Sequence, residues 1–122
     1  MTTRILIVED NALVREMYRS ALKNIGAQLI ETQRGELALA IARREQPNLI
    51  ILDLVLPDIS GNEVAQRLKS DPETRKIPIL AVTNAATAGD EAALRAHGFA
   101  GLVTKPVDIR NFAQTVAKYL GS

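Results

Sequence analysis

Residues 49–64 read LIILDLVLPDISGNEV, and the order of those letters decides the fold. Leu49 to Leu52 form an apolar run with no polar break, which stops at Asp53. A continuous run of this kind fits a strand covered on both faces, as in a parallel sheet with helices above and below. A few residues later Ser60 and Glu63 have capping-box spacing, which predicts a helix from near Gly61 that fades at Ser70-Asp71-Pro72.

The same alternation extends in both directions. Ile5 to Val8, Ile77 to Val82 and a weaker Leu102-Val103 are further strand runs, with Leu29-Ile30 as a fifth. Between them the period changes to that of a helix. Leu13, Met17, Ala21, Leu22 and Ile25 predict one inward stripe, and Leu37, Leu39, Ala40 and Ile41 a second in a helix that Pro47 closes. Thr87 and Asp90 repeat the capping spacing for a helix running to His97, where Gly98 suits a left-handed cap. Asp108 caps a last helix with Ile109, Phe112, Ala113, Val116 and Leu120 inward. Arg43-Arg44-Glu45 and the group Arg67, Lys69, Arg75 and Lys76 read as solvated faces. Five strand–helix alternations predict a single α/β domain over residues 1–122, an open, doubly wound sheet of five parallel strands with five helices.

Composition narrows the function. The chain has 122 residues, 47% of them hydrophobic and 24% charged, which suits one self-sufficient core. Fifteen Lys and Arg against 14 Asp and Glu give a net charge of +1, a poor match to a nucleic-acid backbone. The absence of Cys excludes disulfides, thiolate nucleophiles and zinc–thiolate sites. No apolar run approaches the ~20 residues of a membrane span, and no signal-peptide pattern opens the chain, so a cytoplasmic protein is expected. Aromatics at 3%, with no Trp, leave little for a base-stacking platform.

In an open α/β sheet, ligands bind beyond the carboxyl ends of the strands. There the sequence places Glu9-Asp10, Asp53, Thr83-Asn84 and Thr104-Lys105-Pro106. Each alone reads as a cap, a turn residue or a surface lysine; their coincidence at four strand ends points to a site. Three carboxylates and one ammonium sum to about −2, which calls for a counter-ion. Hard oxygen ligands without His or Cys favour Mg²⁺, with the Val55 carbonyl as a further ligand. A phosphoryl group on Asp53 would meet the cation, Lys105, the Thr83 hydroxyl and loop N–H groups, that of Asn84 included. His97 is assigned no role, and neither GxGxxG nor GxxxxGK[ST] occurs.

These residues resemble the receiver domain of two-component response regulators. The ordered set ILIVEDN, LIILDLVLPDISGNEV, AVTNAA and LVTKP spans essentially the whole chain. LPDISGNEV, IPILAVT and AGDEAALRAHGFAG are most similar to the stand-alone, cell-cycle type of receiver. The resemblance implies a flavodoxin-like (βα)5 fold and a phosphoacceptor regulator that is not an enzyme in the ordinary sense, modifying only itself. It implies Asp53 as phosphoacceptor, with Glu9, Asp10, Asp53 and the Val55 carbonyl holding Mg²⁺, or Mn²⁺ in its place. Lys105 would contact the phosphoryl group, Thr83 would be the switch hydroxyl, and Lys105-Pro106 would be a cis peptide.

The implied partners are a sensor histidine kinase or a histidine phosphotransfer protein, and a downstream protein target that reads helix 4, strand 5 and helix 5. No output domain, nucleic acid or membrane is expected, and the receiver would be a monomer or a weak homodimer. The sequence departs from the family at Leu102, where Tyr or Phe usually completes the switch. Val55 and Ala85 are apolar where members often place groups that orient the attacking water, which implies a long-lived phospho-form. Two alternatives stand beside this reading: a degenerate receiver that binds partners without phosphorylation, and a small Mg²⁺-dependent phosphohydrolase acting through phospho-Asp. The latter would carry DxD where this chain has Glu9-Asp10-Asn11.

Overall fold

The strands β1 (Arg4–Val8), β2 (Gln28–Thr32), β3 (Leu49–Asp53), β4 (Ile79–Thr83) and β5 (Gly101–Thr104) pair in parallel in the order β2-β1-β3-β4-β5. The computed structural model describes residues 2–84 and 88–120. Helices α1 (Ala12–Ala21), α2 (Gly35–Glu45), α3 (Gly61–Ser70), α4 (Ala88–Ala96) and α5 (Ile109–Leu120) connect and follow the strands. The doubly wound fold expected from the alternation is therefore observed.

The strands need no polar face because both sides of the sheet are covered. Leu6, Ile50, Leu52, Ile79 and Ala81 pack against α2, α3 and α4; Ile5, Ile7, Ile51, Leu80 and Val82 pack against α1 and α5. Each is essentially inaccessible to solvent, and burying one Ile or Leu side chain is worth about 1.5–3 kcal/mol. No helix among the described residues is long and apolar enough to cross a membrane.

Several boundaries follow the local chemistry. The Ser60 hydroxyl accepts the Glu63 N–H at 3.1 Å and starts α3 as the capping spacing predicted. Gly98 takes φ +96° after α4, as expected for its cap. The Asp108 carboxylate accepts the Arg110 N–H at 3.1 Å ahead of α5. The cap pairing Thr87 with Asp90 lies outside the described residues, as do Ala85 and Ala86.

Four expectations are corrected. Leu13 and Met17 are 71% and 45% exposed; Val14 and Tyr18 face the sheet instead, because the buried line of α1 is offset by one residue from the most apolar letters. Leu37 is 52% exposed, and α2 uses the small residues Ala38 and Ala42 to approach the sheet closely. Strand β4 starts at Ile79, since the Ile77 N–H closes a turn onto the Thr74 carbonyl. Lys69 does not lie on a solvated face: its ammonium donates to the Arg75 and Ile77 carbonyls at 3.0 and 2.9 Å, and burial lowers its pKa. Arg67 reaches Glu36 and Glu63, and Arg43 reaches Asp71, in exposed ion pairs worth little individually.

Candidate functional site

Alternation along the strands decides which side chains meet. Ile7, Ile51 and Val103 belong to the layer under α1 and α5, so Glu9, Asp53 and Lys105, two residues further along, emerge on that same side at the sheet's carboxyl edge. Their parent strands are β1, β3 and β5. One oxygen each from Glu9, Asp10 and Asp53 lies within 4.8 Å of the others.

Asp53 is 4% exposed and both its oxygens are engaged. Oδ1 accepts the Val55 N–H at 3.0 Å, and Oδ2 accepts from Lys105 Nζ at 2.9 Å. The Lys105 N–H donates to the Thr83 carbonyl at 2.6 Å, which fixes the lysine against the end of β4. The Lys105-Pro106 peptide bond is cis. Glu9, 2% exposed, accepts the Asn11 N–H on Oε2 at 3.1 Å, while the Asn11 side chain caps α1 by accepting from Leu13 and Val14. Arg15 donates to the Glu9 carbonyl at 2.8 Å. The acidic loop is thus tied to the first turn of α1 at three points.

Burial pushes the Glu9 carboxyl up to about 7; the Asn11 N–H works against that rise, and neighbouring Asp53 adds to it. Burial also opposes the Lys105 charge, but the Asp53 hydrogen bond and the two carboxylates outweigh it and raise that pKa. Glu9 Oε1 is buried and accepts no hydrogen bond, since Lys105 Nζ stands 3.6 Å away. An orphaned carboxylate oxygen beside two further carboxylates is what a hard divalent cation needs, so the donor set fits Mg²⁺. The exposed Asp10 leaves the cluster open to solvent on one side.

The other expected residues divide between the two faces. Asn84 lines a groove with Lys105, on the α1 side. Thr83 lies on the opposite side, lining a groove between α3 and α4 with Leu54, Leu94 and His97. Leu102 pairs with Ala81 and packs into the α2–α4 layer, on the same face as Thr83. The acids and the lysine therefore converge directly, whereas the Thr83 side chain lines the groove on the other face of the sheet. Val55 is 70% exposed beside the cluster.

Two residues that support the site escaped the sequence reading. A Cβ on Gly61 would stand 2.5 Å from the Asp53 carbonyl oxygen and 2.6 Å from Leu54 Cα, so only glycine lets α3 start against the end of β3. The Asp58 carboxylate accepts the N–H groups of Gly35 and Glu36, both at 2.9 Å, and so binds the β3–α3 loop to the start of α2. The glycine following a cap at Ser60 was a usable signal for the first. The second joins residues too far apart in sequence to be read from spacing.

The pattern of the response regulator receiver domain matches residues 5–117. The polar-differentiation response regulator DivK of Brucella ovis is 41% identical over 121 residues, covering 99% of this chain and 98% of that protein. The likeness to stand-alone receivers expected from the sequence is thus found, since the match spans nearly the whole of that protein. The signal receiver domain of a putative LuxO repressor protein from Vibrio parahaemolyticus superposes with a TM-score of 0.90 at 26% identity, over 98% of this chain and 91% of that one. The receiver domain of the sensor histidine kinase PA1611 from Pseudomonas aeruginosa, solved with a magnesium ion coordinated in its active-site cleft, superposes at 0.87 with 24% identity over the full length of both chains. A family match across nearly the whole sequence, on a doubly wound sheet with an acidic cluster at its carboxyl edge, means that the chain belongs to the response regulator receiver domain family, as a signalling regulator and not a conventional enzyme.

Proposed function

We propose that Asp53 takes a phosphoryl group from a phosphohistidine and that the resulting aspartyl phosphate switches a protein-binding surface formed by α4, β5 and α5. The observation that carries this is the pairing of Lys105 Nζ with Asp53 Oδ2 at 2.9 Å inside a buried acidic cluster that also holds an unpartnered Glu9 oxygen. Transfer forms the O–P bond at Asp53 and breaks the donor's P–N bond, with the electron pair returning to the imidazole. Attack by a carboxylate oxygen needs no general base, so positioning and charge neutralisation carry the step.

Glu9, Asp10 and Asp53, with the Val55 carbonyl, would hold Mg²⁺ or Mn²⁺, and the bound ion would neutralise charge on the phosphoryl oxygens. Val55 N–H and Lys105 fix the Asp53 carboxylate in one orientation for in-line attack. Once the phosphoryl group is on Asp53, Lys105 turns its ammonium to a phosphoryl oxygen, joined by the Asn84 N–H. The Thr83 hydroxyl moves in from the α3–α4 side. Leu102, on the same face of the adjacent strand, fills the space behind it in place of the usual aromatic ring.

Leu13 and Met17 on α1 and Val55, two residues after Asp53, are exposed apolar side chains, a feature suited to contact with a sensor kinase or histidine phosphotransfer protein. On this reading residues 1–122 act as one receiver unit whose output is a protein contact in the cytoplasm. Incubation with Mg²⁺ and phosphoramidate, a small P–N donor, followed by borohydride reduction, tests the assignment. Peptide mapping should place the reduced acyl phosphate at Asp53; modification at Glu9 or Asp10, or at none of the three, would contradict it.

A further inference from the structure

Two buried side-chain atoms among the described residues lack a hydrogen-bond partner: Glu9 Oε1 and the Tyr18 hydroxyl. They are complementary, since a carboxylate only accepts and a phenol donates. Tyr18 is 1% exposed and lies on the α1 side of the sheet, the side from which Glu9, Asp53 and Lys105 emerge. Together with Asn84, Lys105 and Pro106 it lines a groove of about 420 Å³ beside the acidic cluster. Its ring stacks on Phe112 of α5 with centroids 4.9 Å apart and planes at 30°, an arrangement that fixes the direction of the hydroxyl. Burial first, then the charges of Glu9 and Asp53, push the phenol up, so it remains a donor.

A buried hydroxyl left without a partner is costly, and an ordered water that bridges it to a complementary buried acceptor on the same side of the sheet satisfies both groups. We propose that Tyr18 is a positioning residue of the acidic site, its hydroxyl donating through an ordered water to Glu9 Oε1 and so fixing the carboxylate that would hold the metal ion. The inference rests on the metal-dependent reading of that site given above. Carboxylates that bind a metal are themselves held by outer hydrogen bonds, and losing such a bond weakens metal affinity about 10- to 100-fold.

The test is a Mg²⁺ titration of the wild type, Tyr18→Phe and Tyr119→Phe, followed by amide chemical shifts. Tyr18→Phe should bind Mg²⁺ at least ~10-fold more weakly than the other two. The chain has two Tyr and no Trp, so Tyr119→Phe leaves Tyr18 as the only emitter, and its emission should change as Mg²⁺ saturates. Equal Mg²⁺ affinity in Tyr18→Phe and wild type, or unchanged Tyr18 emission in Tyr119→Phe, overturns this inference and leaves the reading of the acidic site standing. Failure of the wild type to bind Mg²⁺ overturns both.

Discussion

Lys105 Nζ reaches Asp53 Oδ2 at 2.9 Å by crossing the end of β4, which separates their parent strands β3 and β5. The ammonium is therefore the counter-ion of the Asp53 carboxylate, and under the proposed function it would turn to the phosphoryl group once Asp53 is phosphorylated. Lys105→Met should leave Mg²⁺ affinity equal to or higher than wild type, because one competing cation has left the cluster. Phosphorylation by acetyl phosphate should slow roughly 100-fold, the usual cost of losing one charge-stabilising donor. Weaker Mg²⁺ binding with an unchanged phosphorylation rate would contradict this division of roles.

Gly61 tests the support behind Asp53. In Gly61→Ala the new methyl group meets backbone at 2.5 and 2.6 Å, atoms that cannot swing aside as a side-chain tip could. Overpacking of this kind costs about 1–3 kcal/mol, and urea unfolding should show a loss in that range. Unchanged stability would mean that α3 can retreat from β3.

Asp58 gives the fold a defined acid sensitivity. Its carboxyl is held down to about 2, first by the Glu36 N–H and then by that of Gly35, against an unfolded value of about 3.9. A depressed folded pKa adds stability that is fully present above the unfolded value and lost as pH falls through the folded one. The urea midpoint of the wild type should thus fall between about pH 4 and pH 2 by more than that of Asp58→Asn, which should already be lower at pH 7. Parallel pH profiles for the two proteins would contradict the assignment.

Val55, exposed beside Asp53, has no polar side-chain group to offer a water that would attack the proposed aspartyl phosphate. Val55→Asn should shorten the lifetime of the phospho-form several-fold, followed by intact mass after removal of the phosphodonor. An unchanged lifetime would contradict the link between this position and persistence of the signal.

The parts of the site legible in the sequence were those that strand position alone determines. The runs ending at Val8, Leu52 and Val103 are apolar because both faces of the sheet are covered, so the letters alone place Glu9, Asp53 and Lys105 at its edge. What escaped depends on direction and on contacts between distant segments. Leu13 and Met17 carry the apolar letters of α1, yet Asn11 starts the helix with Val14 and Tyr18 turned inward. Thr83 ends the right strand, but alternation sends it to the opposite face from Asp53. Asp58 serves α2 across more than twenty residues, and no local pattern announces such a bond.

Intact-mass spectrometry after incubation with acetyl phosphate, with and without Mg²⁺, tests the central claim most directly when wild type and Asp53→Asn are compared. One phosphoryl group should add to the wild type only when Mg²⁺ is present, and Asp53→Asn should remain unmodified. A wild type that gains no phosphoryl group with Mg²⁺ present, or an Asp53→Asn protein that gains one, would contradict the account, the former result pointing to a receiver that binds its partners without phosphorylation.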